Sequence, residues 1–244
     1  MSLSLDVEPP EPSRLGEVVW LEPYPDLLLD ELPDTAAGPE ARYEAREAMS
    51  LAFVTALQLL PPRQRAALIL RDVLDFPASE VADILETTEQ SVTSALKRAR
   101  ATVSRELPSS DAPPPPAPNS AAEQELVARL VDAFDTADVD GIVALMTEDA
   151  WLRMPPVALE YQGRKLIAEF FATVAFRQGR RYHLVPTRAN GQPAFACYLR
   201  DPATQVSRAF GLMVITLAGS QISAITRFDN TVLPSFGLPR TLVD

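Results

Sequence analysis

Four basic side chains, Lys97, Arg98, Arg100 and Arg105, fall close together on one stretch of helical pattern. A cluster of that kind can hold a few phosphate groups through charge-assisted hydrogen bonds. Gln90, Ser91, Thr93 and Ser94 precede them and, with Lys97, Arg98 and Arg100, lie off the apolar face, left for solvent or a ligand. Other chemistry-bearing residues are sparse. A single cysteine, Cys197, and a single histidine, His183, exclude an internal disulfide and any multi-cysteine zinc or iron–sulfur site. No glycine-rich phosphate loop and no metal-ligand spacing is visible, so neither metal nor cofactor is expected. Cys197 lies in an apolar run and reads as core, and His183, between Tyr182 and Leu184, reads as a packed or surface histidine.

The net charge of -11 argues against coating nucleic acid by bulk attraction. The first sixty residues hold twelve acidic and three basic residues, which accounts for most of that charge. Residues 61–107 are neutral, with seven of each sign, so any phosphate binding there depends on clustering along one helix.

The elements that must carry these residues follow from periodicity. Residues 1–39 contain seven prolines and read as an irregular, acidic and loosely packed arm. Met49, Ala52, Phe53, Ala56, Leu57 and Leu60 form one apolar helical stripe ended by Pro61-Pro62. Ala66, Ile69, Leu70 and Val73 form a second, stopped at Asp75-Phe76-Pro77. Ser79 is placed to cap a short helix burying Val81, Ala82 and Leu85. After a break at Glu86-Thr87-Thr88, a longer helix buries Val92, Ala95, Leu96, Ala99 and Val103 and runs to about Leu107, with Thr87 or Thr88 as its cap. A short helix, a tight turn and a longer helix with a polar, partly basic face form the helix-turn-helix pattern, whose second helix fits the major groove.

Residues 108–120 are proline-rich and read as an extended interdomain spacer. Beyond them, residues 121–244 change from helices to strands. Leu126 to Phe134, Val139 to Met146 (capped by Asp138) and Leu166 to Val174 are helical. Arg181 to Thr187, Ala194 to Leu199, Val206 to Leu217 and Gln221 to Asp229 are β-rich. The fold class expected is therefore multi-domain: an all-α helix-turn-helix over 40–107, then an α+β domain with a curved antiparallel sheet. No apolar run approaches the roughly 20 residues a bilayer requires, and the N-terminus lacks the basic and apolar segments of a secretory signal. A cytoplasmic protein without membrane partners is expected.

The run from Leu60-Pro61-Pro62-Arg63-Gln64-Arg65 through Asp72-Val73-Leu74, with Ser79 to Leu85 and Ser91 to Arg100, resembles region 4 of extracytoplasmic-function sigma factors. By that resemblance Glu89, Gln90, Ser91, Thr93, Ser94, Lys97 and Arg98 face promoter -35 DNA, and the preceding helices contact core RNA polymerase. The family often carries basic residues near Thr93 and Ala95, which this chain lacks. The family's region 2, which binds the polymerase clamp and the -10 element, has no counterpart in residues 1–39. Trp20-Leu21-Glu22-Pro23-Tyr24-Pro25-Asp26 resembles the linker that follows region 2. On this reading the chain binds DNA or polymerase without melting a promoter.

Residues from about Glu123 to Leu238, with Trp151 to Pro156, Tyr161-Gln162-Gly163-Arg164 and Ile225 to Asp229, resemble SnoaL-like domains. The resemblance implies a cone with an apolar pocket, of the kind shared by polyketide cyclases, ketosteroid isomerases and epoxide hydrolases. A subset of extracytoplasmic-function sigma factors carries such a domain as a C-terminal modulator. Catalysis in such a pocket needs a carboxylate base in an apolar wall and a donor for the developing oxyanion. Asp229 would be the base, His183, Tyr161 and Arg208 its partners, and Trp151, Met154 and Phe195 the wall. The plainer reading pairs Asp229 with Arg227, two residues away on one strand face. The expectation is a sigma-factor-like transcription protein with core RNA polymerase, promoter DNA and a small pocket ligand as partners. The alternative is a SnoaL-like cyclase, isomerase or epoxide hydrolase with a vestigial region 4.

Overall fold

A computed structural model of the chain describes residues 8–15, 22–29, 54, 57–106, 113–204 and 206–243. Two compact units are present: Ala36–Ala112, and a second in which Met1–Thr35 joins Pro113–Asp244. The arm contributes a short strand, β1 (Arg14–Leu15), and one helical turn, α1 (Asp26–Leu29).

In the helical unit, Pro62 occupies the first turn of α2 (Pro62–Leu68), where a missing N–H costs nothing. α2 passes into a π turn, Ile69–Val73, in which Leu74 N donates to the Ile69 carbonyl. The wider turn shifts the buried face from the expected periodicity. Ala67 and Leu68 are buried, while Val73 is 52% exposed. α3 (Ala78–Ile84) begins directly after Pro77, which places Ser79 inside the first turn instead of at the cap. α4 (Glu89–Glu106) is entered through Glu86 at φ 49°, and the Thr88 hydroxyl accepts from Ser91 N at 3.2 Å. Leu60, Leu68, Leu96, Ala99 and Val103 make one core cluster, and Val81, Ala82 and Val92 another. Most of the stripe expected from Met49 to Ala56 lies outside the described residues.

The α+β unit opens with α5 (Ala121–Thr136), capped by Ser120, and α6 (Val139–Ala144), capped by Asp138. β2 (Met146–Met154) and β3 (Val157–Gln162) follow, then α7 (Arg164–Phe170), which ends in a second π turn. The remaining strands are β4 (Tyr182–Ala189), β5 (Gln192–Asp201), β6 (Val206–Ala218), β7 (Gln221–Phe228) and β8 (Thr241–Val243). They form one sheet in the order β1-β3-β2-β7-β6-β5-β4, with β8 added to β6. Every pairing is antiparallel except β2 with β7, which is parallel. Asn190 and Gly191, at φ 55° and 71°, make the two-residue turn that sets the β4–β5 register. One face of the sheet, with Leu152, Cys197, Met213, Ile215 and Ile225, closes on Leu130, Phe134, Ile167 and Phe171 from the helices.

The arm is not loosely packed where it is described. Ser13 N donates to the Glu160 carbonyl at 2.9 Å, and Gln162 N donates to the Ser13 hydroxyl at 2.8 Å. Tyr24 and Asn190 exchange hydrogen bonds, and Asp26 accepts from Gly191 N at 2.8 Å and from the Arg188 guanidinium at 3.3 Å. Proline removes donors but leaves carbonyls, and the Pro10 carbonyl accepts from the Tyr161 hydroxyl. Part of the expected spacer is also held, since the Pro113 carbonyl accepts from Gly219 N at 2.8 Å.

Gly211 sits beside a register shift in the β5–β6 pairing, and a Cβ there would meet the Phe228 carbonyl oxygen, which belongs to the backbone and cannot yield. Gly211→Ala is expected to destabilise the α+β unit by about 1–3 kcal/mol, read as a lower denaturation midpoint at unchanged slope.

Candidate nucleic-acid interface and interior cavity

α4 amphipathicity sorts its residues cleanly. Val92, Leu96, Ala99 and Val103 point into the core, and Glu89, Gln90, Ser91, Thr93, Ser94, Lys97, Arg98 and Arg100 are all exposed. Arg65 donates to the carbonyls of Gln58 and Leu60 at the end of the preceding helix, and Arg71 to that of Phe76. Arg100 makes a two-pronged pair with Asp72 at 2.9 and 2.7 Å, which raises its affinity for its proton and ties α4 to the π turn. These three arginines hold the fold. Lys97 and Arg98 project from α4 with no ion pair or hydrogen bond among the described residues. The Arg105 side chain lies outside the described set.

The α+β unit holds a partly open cavity of about 280 Å³. Its walls are apolar, with Phe134, Leu152, Met154, Phe171 and Met213, and its polar lining includes Arg177, Arg180, Tyr182, Arg227, Asp229 and Asn230. Of the expected site residues it takes in Asp229 and Met154. Tyr161 is buried elsewhere, its hydroxyl spent on Pro10. His183 lies on the opposite strand face from Tyr182 and approaches Arg200, and Arg208 is exposed at the pairing with β8. Trp151 is flanked by the guanidinium groups of Arg14 and Arg153 at 4.6 and 4.8 Å. Phe195 lines a second cavity, of about 420 Å³, where the arm meets the sheet beside Pro25, Glu123 and Arg188.

The expected pairing of Asp229 with Arg227 is replaced by other contacts. β7 ends at Phe228, so Asp229 leaves the strand alternation and accepts from both the backbone and hydroxyl of Thr231, capping the turn Asn230–Phe236. Burial works to raise its carboxyl, but the Thr231 donors and the Arg227 charge outweigh it and hold the group below the usual carboxylate range. A base held that low is a weak proton acceptor at neutral pH. Arg227 stacks over the Phe210 ring at 4.3 Å and donates to the Phe210 carbonyl at 2.9 Å. Burial pulls its guanidinium below its ordinary value. The sequence signal for Arg227 was its i+2 spacing from Ile225, which turns both to the interior. The signal for Arg177 and Arg180 was the basic run Arg177-Gln178-Gly179-Arg180-Arg181.

The sigma-70 region 4 model matches residues 50–103, and the SnoaL-like domain model matches residues 127–225. The chain carries a sigma-70 region 4 followed by a SnoaL-like domain. It is 42% identical over 232 residues to a Mycobacterium tuberculosis protein named ECF RNA polymerase sigma factor SigG, covering 93% of this chain and 60% of that relative. It is 30% identical over 150 residues to ECF RNA polymerase sigma factor SigJ of the same species, covering 59% of this chain and 46% of that relative. The crystal structure of SigJ superposes with a TM-score of 0.60 at 22% identity, over 92% of this chain and 76% of that one. The chain thus spans about 60% or less of the length of these curated relatives. Region 4 supplies the exposed face of α4, and the SnoaL-like domain supplies the cavity. No described helix is long and apolar enough to cross a membrane.

Cys197, in the SnoaL-like core, has its thiol pushed up to about 12 by burial. Alkylation by iodoacetamide at pH 8 is expected to be about a thousandfold slower than for a free cysteine, and to recover the free rate in denaturing urea.

Proposed function

We propose that this chain acts in transcription as a sigma-factor-like protein, reading promoter -35 DNA and docking on core RNA polymerase through region 4, with the SnoaL-like domain as a ligand-responsive modulator. The observation that carries this reading is the 42% identity, across 93% of the chain, to a relative named as an RNA polymerase sigma factor. The helix-turn-helix supports it physically. α4 places Gln90, Ser91, Thr93 and Ser94 in its exposed first turns, where a recognition helix meets base edges, and Lys97 and Arg98 one turn on, within reach of phosphates. Val73, Leu74 and Ile84, each more than half exposed, offer an apolar surface on the same unit suited to a protein partner. The cyclase, isomerase or epoxide hydrolase reading draws nothing from the cavity, because Asp229 is committed to its cap and neither His183, Tyr161 nor Arg208 joins it there.

Binding to a -35 duplex, titrated across salt, tests this. Lys97→Ala with Arg98→Ala is expected to flatten the slope of log affinity against log salt by about 2, one contact each, without changing the melting temperature. Asp72→Asn releases Arg100 from its carboxylate and is expected to steepen the slope by about 1. An unchanged slope in both variants would contradict the assignment of α4 to DNA.

A further inference from the structure

We infer that the interior cavity of the SnoaL-like domain takes a small aromatic or polycyclic carboxylate, its ring system held by the apolar walls and its anionic head by Arg227. The assignment rests on the reading of this domain as a ligand-responsive module and names the chemistry of its ligand. The charge of the lining runs against that of the protein. Arg177, Arg180 and Arg227 face one carboxylate, Asp229, in a chain whose net charge is -11. That excess of cations over carboxylate in a largely apolar lining favours an anion over a cationic guest.

Arg227 is the group best placed to hold the head. A guanidinium carries five N–H donors. One is spent on the Phe210 carbonyl, and among the described residues no carboxylate lies within ion-pairing distance of the others. Asp229, the nearest candidate, has its carboxylate engaged by Thr231. The Phe210 ring beneath it and the hydrogen bond to the Phe210 carbonyl hold the guanidinium in place before a ligand arrives. A partly desolvated cation with no directly bonded counterion is costly, and burial already pulls Arg227 below its ordinary value. A carboxylate entering the cavity would relieve that cost through a charge-assisted, two-pronged pair. The other titratable groups facing this point are Tyr182, whose hydroxyl donates to the Ala175 carbonyl, and Cys197, whose thiol stays protonated. Neither competes as an anion at neutral pH. The body of the guest is set by Phe134, Phe171, Tyr182 and Phe210, whose edges and faces suit an aromatic or fused-ring ligand.

The experiment is calorimetric titration of the full chain with 2-naphthylacetate and with its neutral counterpart 2-(2-naphthyl)ethanol. The carboxylate is expected to bind at least about tenfold more tightly, as a hydrogen bond to a charged group requires. Arg227→Met should bring the two affinities together by weakening the carboxylate alone, and Arg227→Lys should keep part of the difference. Equal affinities in the unaltered protein, carboxylate binding undiminished in Arg227→Met, or no binding of either compound would overturn the assignment. The first comparison needs no variant, so a folding defect in Arg227→Met leaves the proposal exposed to test. The same samples are titrated with -35 duplex. Loss of duplex binding with carboxylate selectivity retained would overturn the transcription reading alone, and the reverse result would overturn the cavity assignment alone.

Discussion

Arg188 joins three segments that lie far apart in the chain. Its guanidinium meets Glu123 at 2.6 Å, near the start of α5, Asp26 at 3.3 Å, in the arm, and the Gly191 carbonyl at 3.0 Å, in the turn of its own hairpin. The Glu123 side chain is only 6% exposed and that of Arg188 22%, so the pair is largely withdrawn from water. Removing one partner of such a pair strands the other charge, at a cost of about 3–5 kcal/mol. Once Arg188 is placed, Asp26 is oriented to accept from Gly191 N, and Tyr24 and Asn190 can exchange their hydrogen bonds. The arm thereby becomes part of the SnoaL-like unit, although region 4 separates the two in sequence.

The same economy of cations recurs through the molecule. Arg65, Arg71 and Arg100 hold the helical unit by saturating carbonyls and a carboxylate, and Arg14, Arg164 and Arg188 hold the α+β unit in similar ways. The cations left over are therefore informative. On α4 they are Lys97 and Arg98, solvated and beside short polar side chains. In the cone Arg227 lies over the Phe210 ring, spends one donor on the Phe210 carbonyl and, like Arg180, meets no bonded carboxylate among the described residues. Surface cations serve long-range attraction that salt screens, whereas a desolvated one serves selectivity for a single anionic group.

Much of this was legible in the residues. The exposed face of α4, the Asp138 cap, the Asn190-Gly191 turn and the strands from Tyr182 onward follow directly from spacing and turn chemistry. β2 and β3 were not legible, because Met146-Thr147-Glu148-Asp149 has little strand propensity and Pro155-Pro156 masks the hairpin. The two π turns were hidden as well, since one extra residue per turn defeats a 3.6-residue period at Ile69 and Phe171. The cavity was the least legible part. Tyr161 was drawn off by Pro10, and Asp229 left the strand to cap a turn, both through contacts that no local pattern encodes. The arm misled for a related reason, since proline density reads as looseness until the donors that meet its carbonyls are seen.

The claim that the arm, the start of α5 and the β4–β5 hairpin are one cooperative element, distinct from region 4, is tested most directly by amide hydrogen exchange in Arg188→Gln. The account expects the amides of Tyr24, Asn190 and Gly191 to lose protection together, by about a hundredfold or more, while those of α4 keep theirs. Undiminished protection at Tyr24 and Gly191 in the variant would contradict it.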